Sequence, residues 1–178
     1  MSYFEKQISS DTAYSGKILS LTVDKVELQT GRVTTREVVW HSGAVGVVAI
    51  DGDDIILVRQ FRYPFSRELL EIPAGKLEKD EEPIACAARE LEEETGFRSE
   101  NLEFLMTVNT TVAFCDEKIG VYIAKDLIPS KQNLDADESI DVEEWEVKDL
   151  LEMISSGKMT DAKTMAAILA YAQREGIR

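Results

Sequence analysis

Three glutamates in a short segment, Glu90, Glu93 and Glu94, are the residues whose spacing points most directly to chemistry. On a helix they fall on one side, because successive residues advance by about 100°. Like charges three and four residues apart repel, and Arg89 is the only basic residue from 83 to 95. Oxygen-rich carboxylate clusters are the sites that Mg²⁺ and Mn²⁺ select. The glutamates are therefore a candidate metal site, with a solvated acidic surface as the alternative.

The acidic residues of the chain are concentrated in two stretches. The net charge is −14 over 178 residues, and most of it lies in 78–94 and 135–149. Nucleic acids and anionic membranes are bound by clustered Lys and Arg, so this distribution disfavours both as partners. The two cysteines, Cys86 and Cys115, lie in unrelated settings, and the N-terminus has no signal-peptide pattern. We therefore expect a cytoplasmic protein.

The elements that must position the glutamates follow from hydrophobic patterning. Alternating residues in Ile18–Leu28 and Arg32–Trp40 predict two strands joined by a hairpin at Gln29–Arg32. The apolar runs Ala44–Ile50 and Asp54–Arg59 predict core strands. The chain up to residue 42 is thus expected to form a small antiparallel β unit, and residues 43–178 a larger domain.

The glutamates themselves belong to a predicted helix from Pro83 to Thr95. Proline suits the first turn of a helix, and Gly96 suits the left-handed residue that ends one. A short strand at 69–72 precedes this helix, strands near 102–108 and 120–124 follow it, and two last helices lie at 147–154 and after Asp161. This order predicts an α/β sandwich with a mixed β-sheet.

The spacing around the glutamates resembles a known signature. Gly75, five residues, Glu81, seven residues and then Arg89–Phe97 match every fixed position of the Nudix box. The Nudix family comprises Mg²⁺-dependent enzymes that cleave nucleoside diphosphates linked to another group. The resemblance therefore implies a hydrolase with an α/β/α sandwich fold.

A looser likeness extends beyond the box to the ADP-ribose and ADP-sugar pyrophosphatase branch. It is carried by Arg36–Val39, Gly43–Val45, Val58–Arg62, Glu71–Gly75 and Asp161–Thr164. In that branch the N-terminal β unit helps to form a homodimer. The resemblance therefore implies a homodimer that hydrolyses a nucleotide sugar such as ADP-ribose.

The resemblance also implies a set of metal ligands. Glu90, Glu93 and Glu94 match the metal-binding glutamates of the family, and the backbone carbonyl of Ala74 matches a further ligand in this branch. The expected metal is Mg²⁺, with Mn²⁺ as a substitute. Arg89 is expected to fix the glutamate side chains by charge-assisted hydrogen bonds, with Glu71 as a further partner.

The candidates for substrate binding are basic and aromatic. Arg62 is the first choice for the diphosphate, because a guanidinium binds phosphate oxygens through two hydrogen bonds. Arg59 and Arg67 are weaker candidates. Phe114 is a further one, at the end of the segment Thr111–Phe114, which stands where many members of the branch have Ser-Pro-Gly. This difference puts the identity of the sugar in doubt.

The catalytic base is expected in the second acidic stretch. In the ADP-ribose branch a glutamate on a late loop acts as a base or binds a metal, and Glu138 is the best match. Asp137, Asp141 and Glu143 stay open as alternatives, as does a solvated loop acid.

Three hypotheses for the function follow. The first is hydrolysis of ADP-ribose or another nucleoside diphosphate sugar. The second is a Nudix pyrophosphatase for GDP-mannose, dinucleotide cofactors, nucleoside triphosphates or RNA ends, with RNA disfavoured by the charge. The third is a catalytically silent binding module, which would be expected to lose box carboxylates that this chain retains.

Overall fold

The structure is a computed structural model that describes residues 3–136 and 138–178. The chain divides into two compact units. One contains the chain up to Gly43 together with Asn109–Lys118, and the other contains Ala44–Val108 and Ile119–Arg178. None of the helices in the described ranges is both long and apolar enough to cross a membrane.

The first unit is a three-stranded antiparallel sheet in the order β1-β2-β3. Its strands are β1 (Glu5–Ser15), β2 (Leu19–Leu28) and β3 (Val33–His41). The predicted hairpin between β2 and β3 is confirmed, and its turn places Gly31 at a φ of 80°, which glycine adopts without strain. Strand β1 was not predicted, because every one of its residues is exposed and its apolar residues do not alternate regularly.

The second unit is built on a mixed sheet. The strands of this unit are β4 (Ala44–Asp51), β5 (Asp54–Arg62), β6 (Arg67–Glu71), β7 (Ala74–Lys76), β8 (Phe97–Arg98), β9 (Asn101–Asn109), β10 (Lys118–Lys125), β11 (Ile128–Pro129) and β12 (Ile140–Glu146). The main path of the sheet runs β12-β5-β4-β10-β9, with β6 paired to β5 and β7 paired to β4. Strands β4 and β10 are parallel and β4 and β5 are antiparallel, which confirms the predicted mixed sheet. A 3₁₀ turn at Tyr63–Phe65 joins β5 to β6, and β8 pairs with β11.

In the part of the chain that the structure describes, three helices cover the two faces of this sheet: α1 (Pro83–Thr95), α2 (Val147–Ser155) and α3 (Ala162–Glu175). On β4, Val47 packs in a core cluster with Leu91 of α1, whereas Val48 packs in a second cluster with Ile168 of α3. Successive residues of a strand point to opposite faces, so both faces of β4 are buried. The apolar runs predicted these core strands, and the order of the elements predicted the sandwich.

The helix that carries the box has the predicted bounds. Pro83 occupies its first turn, and Gly96 ends it at a φ of 72° with its N–H bonded to the carbonyl of Glu92. Asp161 caps α3 by accepting a hydrogen bond from the backbone N–H of Thr164. Strand β12 lies within the second acidic stretch and was not predicted, because four of its seven residues are acidic and only Ile140 is buried.

Candidate active site

Glu90, Glu93 and Glu94 form one side of α1, called the carboxylate face here, and this side lies against β7. Glu90 is held over Gly75, where a Cβ atom would come within 1.9 Å of the Glu90 carboxyl carbon. Any side chain at position 75 would therefore displace Glu90. On the same face, the backbone N–H of Ala74 donates to Oε2 of Glu94 at 2.9 Å. Strand β7 thus leaves room for Glu90 at Gly75 and holds Glu94 by a hydrogen bond from the backbone of Ala74.

Arg89 binds three carboxylates at once. Its Nε and Nη2 donate to the two oxygens of Glu81 at 2.9 and 3.0 Å. Its Nη1 donates to Glu90 at 2.7 Å and to Glu93 at 2.9 Å. The hydrogen bonds from Arg89 lower the pKa of Glu81 to about 2. Arg89 therefore positions these carboxylates. Its hydrogen bonds go to other groups and not to Glu71, so the predicted Arg89–Glu71 contact is wrong.

Glu94 has a different environment. Only 5% of the residue is exposed. Burial raises the pKa of its carboxyl to about 8. The hydrogen bond from the Ala74 N–H and the charge of Arg62 lower this pKa, whereas the charges of Glu90 and Glu138 raise it further. Burial likewise raises the pKa of Glu90, with Glu93 and Glu138 adding to the effect. A positive charge placed among these groups would stabilise their ionised forms.

The segment 130–133, which precedes the loop that carries Glu138, forms hydrogen bonds with the end of α1. The backbone N–H of Asn133 donates to the Glu93 carbonyl at 2.9 Å, and Nε2 of Gln132 donates to the Glu94 carbonyl at 2.7 Å. These donors satisfy carbonyls that the last turn of a helix leaves unpaired. They keep the Glu138 loop at the C-terminal end of α1, and the charge of Glu138 acts on both Glu90 and Glu94.

The other candidates for the base stand differently. Glu143 accepts hydrogen bonds from Arg59 at 2.5 and 3.1 Å and from Nε1 of Trp145 at 2.8 Å. Asp141 is exposed on β12, where it lies opposite Arg59 in the register with β5. Asp137 lies outside the described residues. Glu138 is thus the candidate whose charge reaches the box glutamates.

Arg62 is part of a buried ion-pair network. Its Nε and Nη2 donate to Glu71 at 2.6 and 2.8 Å, and Lys163 donates to the same carboxylate. Only 2% of the Glu71 side chain is exposed, whereas 39% of the Arg62 side chain is exposed. The hydrogen bonds to Glu71 raise the pKa of Arg62 against its burial, and the charges of Glu71, Glu94 and Asp161 add to the effect.

The remaining predicted substrate residues do not join this group. Arg59 is paired with Glu143, and Glu68 and Asp141 are its other charged neighbours. Arg67 donates to the hydroxyl of Thr160 at 3.0 Å. Phe114 belongs to the first unit, where its carbonyl accepts a hydrogen bond from a residue of β3 and its side chain is exposed.

One functional element escaped the analysis of the sequence, namely the partners of Glu71. Lys163 and Arg62 approach it from α3 and from β5, which are distant in sequence. The motif Asp161–Thr164 was the available signal, because charged residues at the start of a buried helix need partners. Its role became visible only from the tertiary contacts.

The carboxylate face fits a divalent cation in its chemistry. Its side-chain donors are oxygens, and Glu94 is a buried carboxyl that no arginine or lysine contacts within the described ranges. As the side chains stand, no three His, Cys, Asp or Glu residues in those ranges are grouped closely enough to hold a metal. In this arrangement Glu93 accepts a hydrogen bond from Arg89 at 2.9 Å.

Comparison with known proteins identifies the class. Residues 40–168 match the NUDIX domain, and residues 5–39 match the nucleoside diphosphate sugar hydrolase N-terminal domain. The chain therefore belongs to the Nudix family and is a Nudix hydrolase, which confirms the resemblance carried by the box.

Particular relatives cover nearly the whole chain. The ADP-ribose pyrophosphatase of Bacillus subtilis (strain 168) is 43% identical over 177 residues, which are 98% of this chain and 96% of the relative. The methanol dehydrogenase activator of Bacillus methanolicus is 42% identical over 178 residues, with the same two shares. Both units of the chain thus have counterparts in these proteins.

A solved structure agrees with the fold. The crystal structure of an ADP compounds hydrolase superposes with a TM-score of 0.85 at 20% identity, covering 97% of this chain and 96% of that chain. This likeness confirms the predicted α/β/α architecture with its additional N-terminal sheet.

Proposed function

We propose that this protein is a cytoplasmic, Mg²⁺-dependent hydrolase of nucleoside diphosphate sugars, and that ADP-ribose is its main substrate. The products would be AMP and ribose 5-phosphate. The observation that carries the proposal is the carboxylate face of α1, where Glu90 lies over Gly75 and Glu94 is buried with the backbone N–H of Ala74 as its donor. The similarity to an ADP-ribose pyrophosphatase over nearly the whole length supports the choice of substrate.

In this proposal Glu90, Glu93, Glu94 and the carbonyl of Ala74 would hold Mg²⁺. Bound Mg²⁺ supplies Lewis-acid polarisation of phosphoryl oxygens and lowers the pKa of a coordinated water. The protein contributes the placement of the ligands: Gly75 leaves room for Glu90, Arg89 orients Glu90 and Glu93, and β7 holds Glu94.

Glu138 is the group proposed to take the proton of the attacking water, or to serve as a further metal ligand. It lies on a loop that the bonds from Asn133 and Gln132 hold at the end of α1. Water then forms a bond to one phosphorus of the diphosphate. The bridging oxygen leaves with the other phosphate, so that two monophosphates are released.

Arg62 is proposed to bind the diphosphate. Its Nε and Nη2 are used by Glu71, and within the described residues its Nη1 donates no hydrogen bond. A partly exposed guanidinium with one free end can donate charge-assisted hydrogen bonds to phosphate oxygens while its other end stays fixed. We propose that the oxygens bound there lie near the carboxylate face, because the charge of Glu94 acts on Arg62.

The first unit is proposed to form a homodimer. Strand β1 is exposed along its whole length, and the unit exposes large apolar side chains such as Phe4, Ile8, Tyr14 and Trp40. A three-stranded sheet of this kind gains stability by packing on another subunit. Sedimentation at micromolar concentration should show a dimer, and a monomer would contradict this part of the proposal.

A second candidate function is cleavage of a dinucleotide cofactor. Such a molecule contains the same diphosphate between two nucleosides, so the proposed role of Arg62 would be unchanged. The observation in its favour is the similarity, over 98% of this chain, to a protein named as an activator of a dehydrogenase.

A substrate panel tests the proposal. With Mg²⁺ present, we expect release of AMP and sugar phosphate from ADP-ribose at a higher kcat/KM than from ADP-glucose, GDP-mannose or NAD⁺. Arg62→Ala should lower kcat/KM for every substrate that the wild type cleaves by a similar factor, on the order of 10- to 100-fold, because the contact is to a shared diphosphate. Highest efficiency on NAD⁺ would favour the second candidate. Unchanged rates in Arg62→Ala would exclude the assigned role of Arg62.

A further inference from the structure

The motif Asp161–Thr164 at the start of α3 is not used by the mechanism above, yet it is closely connected to it. Thr164 is fully buried, donates its hydroxyl to Asp161 at 2.6 Å and accepts the backbone N–H of Ile72 at 2.9 Å. Lys163 is 12% exposed and donates to Glu71 and, at 3.1 Å, to Asp161. The start of α3 therefore contacts the segment between β6 and β7 through both backbone and charge.

A largely buried lysine needs a reason, because removing an ammonium from water is costly unless it is paired. Lys163 has two carboxylate partners, but Glu71 already has a full partner in Arg62, which binds both of its oxygens. A simple buried ion pair would need only Arg62 and Glu71. Lys163 therefore changes the charge that the group formed by Arg62, Glu71, Asp161 and Lys163 presents on its exposed side.

The charges of the group explain what Lys163 adds. Glu71 and Asp161 supply two negative charges, and Arg62 and Lys163 supply two positive charges. Without Lys163 the group would be negative overall, and Arg62, its most exposed cation, would be neutralised by Glu71. A diphosphate carries negative charge, so a group with a net negative charge would repel it.

We propose that Lys163 is a positioning residue that acts through Glu71 on Arg62. By sharing the Glu71 carboxylate, Lys163 holds it in the orientation that fixes the Arg62 fork and offsets its charge, so that Nη1 of Arg62 stays available to a diphosphate. The inference rests on the proposed contact between Arg62 and the diphosphate, and it adds a specific residue of α3 to substrate binding.

The test is a double-mutant cycle between positions 163 and 62, with ADP-ribose and saturating Mg²⁺. Lys163→Gln keeps a hydrogen-bond donor but removes the charge. We expect it to raise KM about 3- to 10-fold in the wild-type background, with kcat changed less than about twofold. In the Arg62→Ala background the same substitution should have almost no effect, because the residue through which it acts is gone.

Two further variants separate charge from structure. Lys163→Arg keeps the charge and should restore KM to near the wild-type value. Asp161→Asn keeps a good helix cap but removes a negative charge, so it should lower KM, opposite to Lys163→Gln. Lys148→Met, an exposed lysine on α2, controls for general loss of positive charge and should leave KM unchanged.

The outcomes are distinguishable. If Lys163→Gln raised KM by the same factor in both backgrounds, or if Asp161→Asn raised KM as well, Lys163 would be structural and the inference would be wrong. If Arg62→Ala alone left KM and kcat unchanged, the proposed role of Arg62 would fail, and the inference with it. If Lys163→Gln did not fold, a lower KM in Asp161→Asn would support the inference, and an unchanged or higher KM would contradict it.

Discussion

Glu81 and Glu94 belong to the same signature but have opposite environments. Glu81 accepts both ends of the Arg89 fork and a backbone N–H from Glu78, and its pKa falls to about 2. Glu94 is buried, accepts one backbone N–H from Ala74, and its pKa rises to about 8. Two identical side chains thirteen residues apart in the chain therefore differ strongly in their preference for a proton.

The difference shows how one arginine divides the carboxylates into two sets. Arg89 uses its donors on Glu81, Glu90 and Glu93 and contributes none to Glu94. The first set is held in place by the protein. Among the residues that the structure describes, no arginine or lysine forms an ion pair with Glu94, which is the condition under which a buried carboxylate binds a metal ion or a proton.

The largest expected effect comes from removing the metal or its ligands. EDTA should abolish hydrolysis, and Mg²⁺ or Mn²⁺ should restore it. Glu93→Gln and Glu94→Gln should each lower kcat by about a thousandfold, because each replaces a charged ligand by a neutral one. Glu92→Gln is the matched control, since Glu92 lies on the same helix but bonds to Ser130, and it should retain most of the activity.

Steady-state rates with the metal titrated would check this prediction. Full turnover in EDTA would show that the carboxylate face is not a metal site. Equal losses in Glu92→Gln and Glu94→Gln would show instead that the helix tolerates no change of charge.

Arg89→Lys tests the division of the carboxylates and should have the next largest effect. A lysine keeps the charge but cannot donate to Glu81, Glu90 and Glu93 together. We expect kcat/KM to fall on the order of 30- to 100-fold and the apparent affinity for Mg²⁺ to weaken, with partial recovery at high Mg²⁺. Arg98→Lys, at an exposed position after α1, is the control. An unchanged Mg²⁺ dependence would show that Arg89 does not position the ligands.

Much of this arrangement could be predicted from the sequence, because local signals carried it. Pro83 and Gly96 bounded α1, and the spacing of three glutamates placed them on one face of it. The apolar runs of β4 and β5 predicted strands buried on both faces. In each case the responsible residues are neighbours in the chain or belong to one signature.

The parts that could not be predicted depend on contacts between distant segments. Glu71 meets Arg62 across β5 and β6 and Lys163 from α3, and no local pattern distinguishes these partners from Arg89. Strand β12 was not recognised because most of its residues are acidic and only Ile140 is buried, and β1 because all of it is exposed. Solvent exposure removes the hydrophobic alternation from which strands are recognised.

The pH dependence of thermal stability without metal also distinguishes Glu94 from Glu81. The folded-state pKa of Glu94, about 8, exceeds its usual value of 4.5, so the folded state binds the proton more tightly. The stability that this carboxyl contributes is therefore fully present below about pH 4.5 and is lost as the pH rises toward 8. We expect the melting temperature in EDTA to fall between pH 5.5 and 8, relative to Glu94→Gln, by on the order of 5 °C.

Thermal unfolding of both proteins across that range would measure the difference. The two carboxyls act in separate windows, since the contribution of Glu81 is present above about pH 4.5 and is lost only as the pH falls toward 2. A wild-type curve parallel to that of Glu94→Gln would mean that Glu94 is ionised without cost. Added Mg²⁺ should raise the melting temperature of the wild type above pH 7 and have less effect on the variant.

The smallest expected effect separates substrate choice from catalysis. Val112 and Phe114 are exposed in the first unit, in the segment that departs from the common Ser-Pro-Gly pattern, whereas the box glutamates belong to the second. Val112→Pro with Ala113→Gly should therefore leave the Mg²⁺ dependence unchanged. It should alter the ratio of kcat/KM between ADP-ribose, ADP-glucose and GDP-mannose by about 3- to 10-fold, the range typical of a changed contact outside the reacting centre. Arg62→Ala, in contrast, should scale all three substrates together. If the segment variant also lowered all three by one factor, position 112 would act on folding or on the shared diphosphate, and this segment would have no part in choosing the sugar.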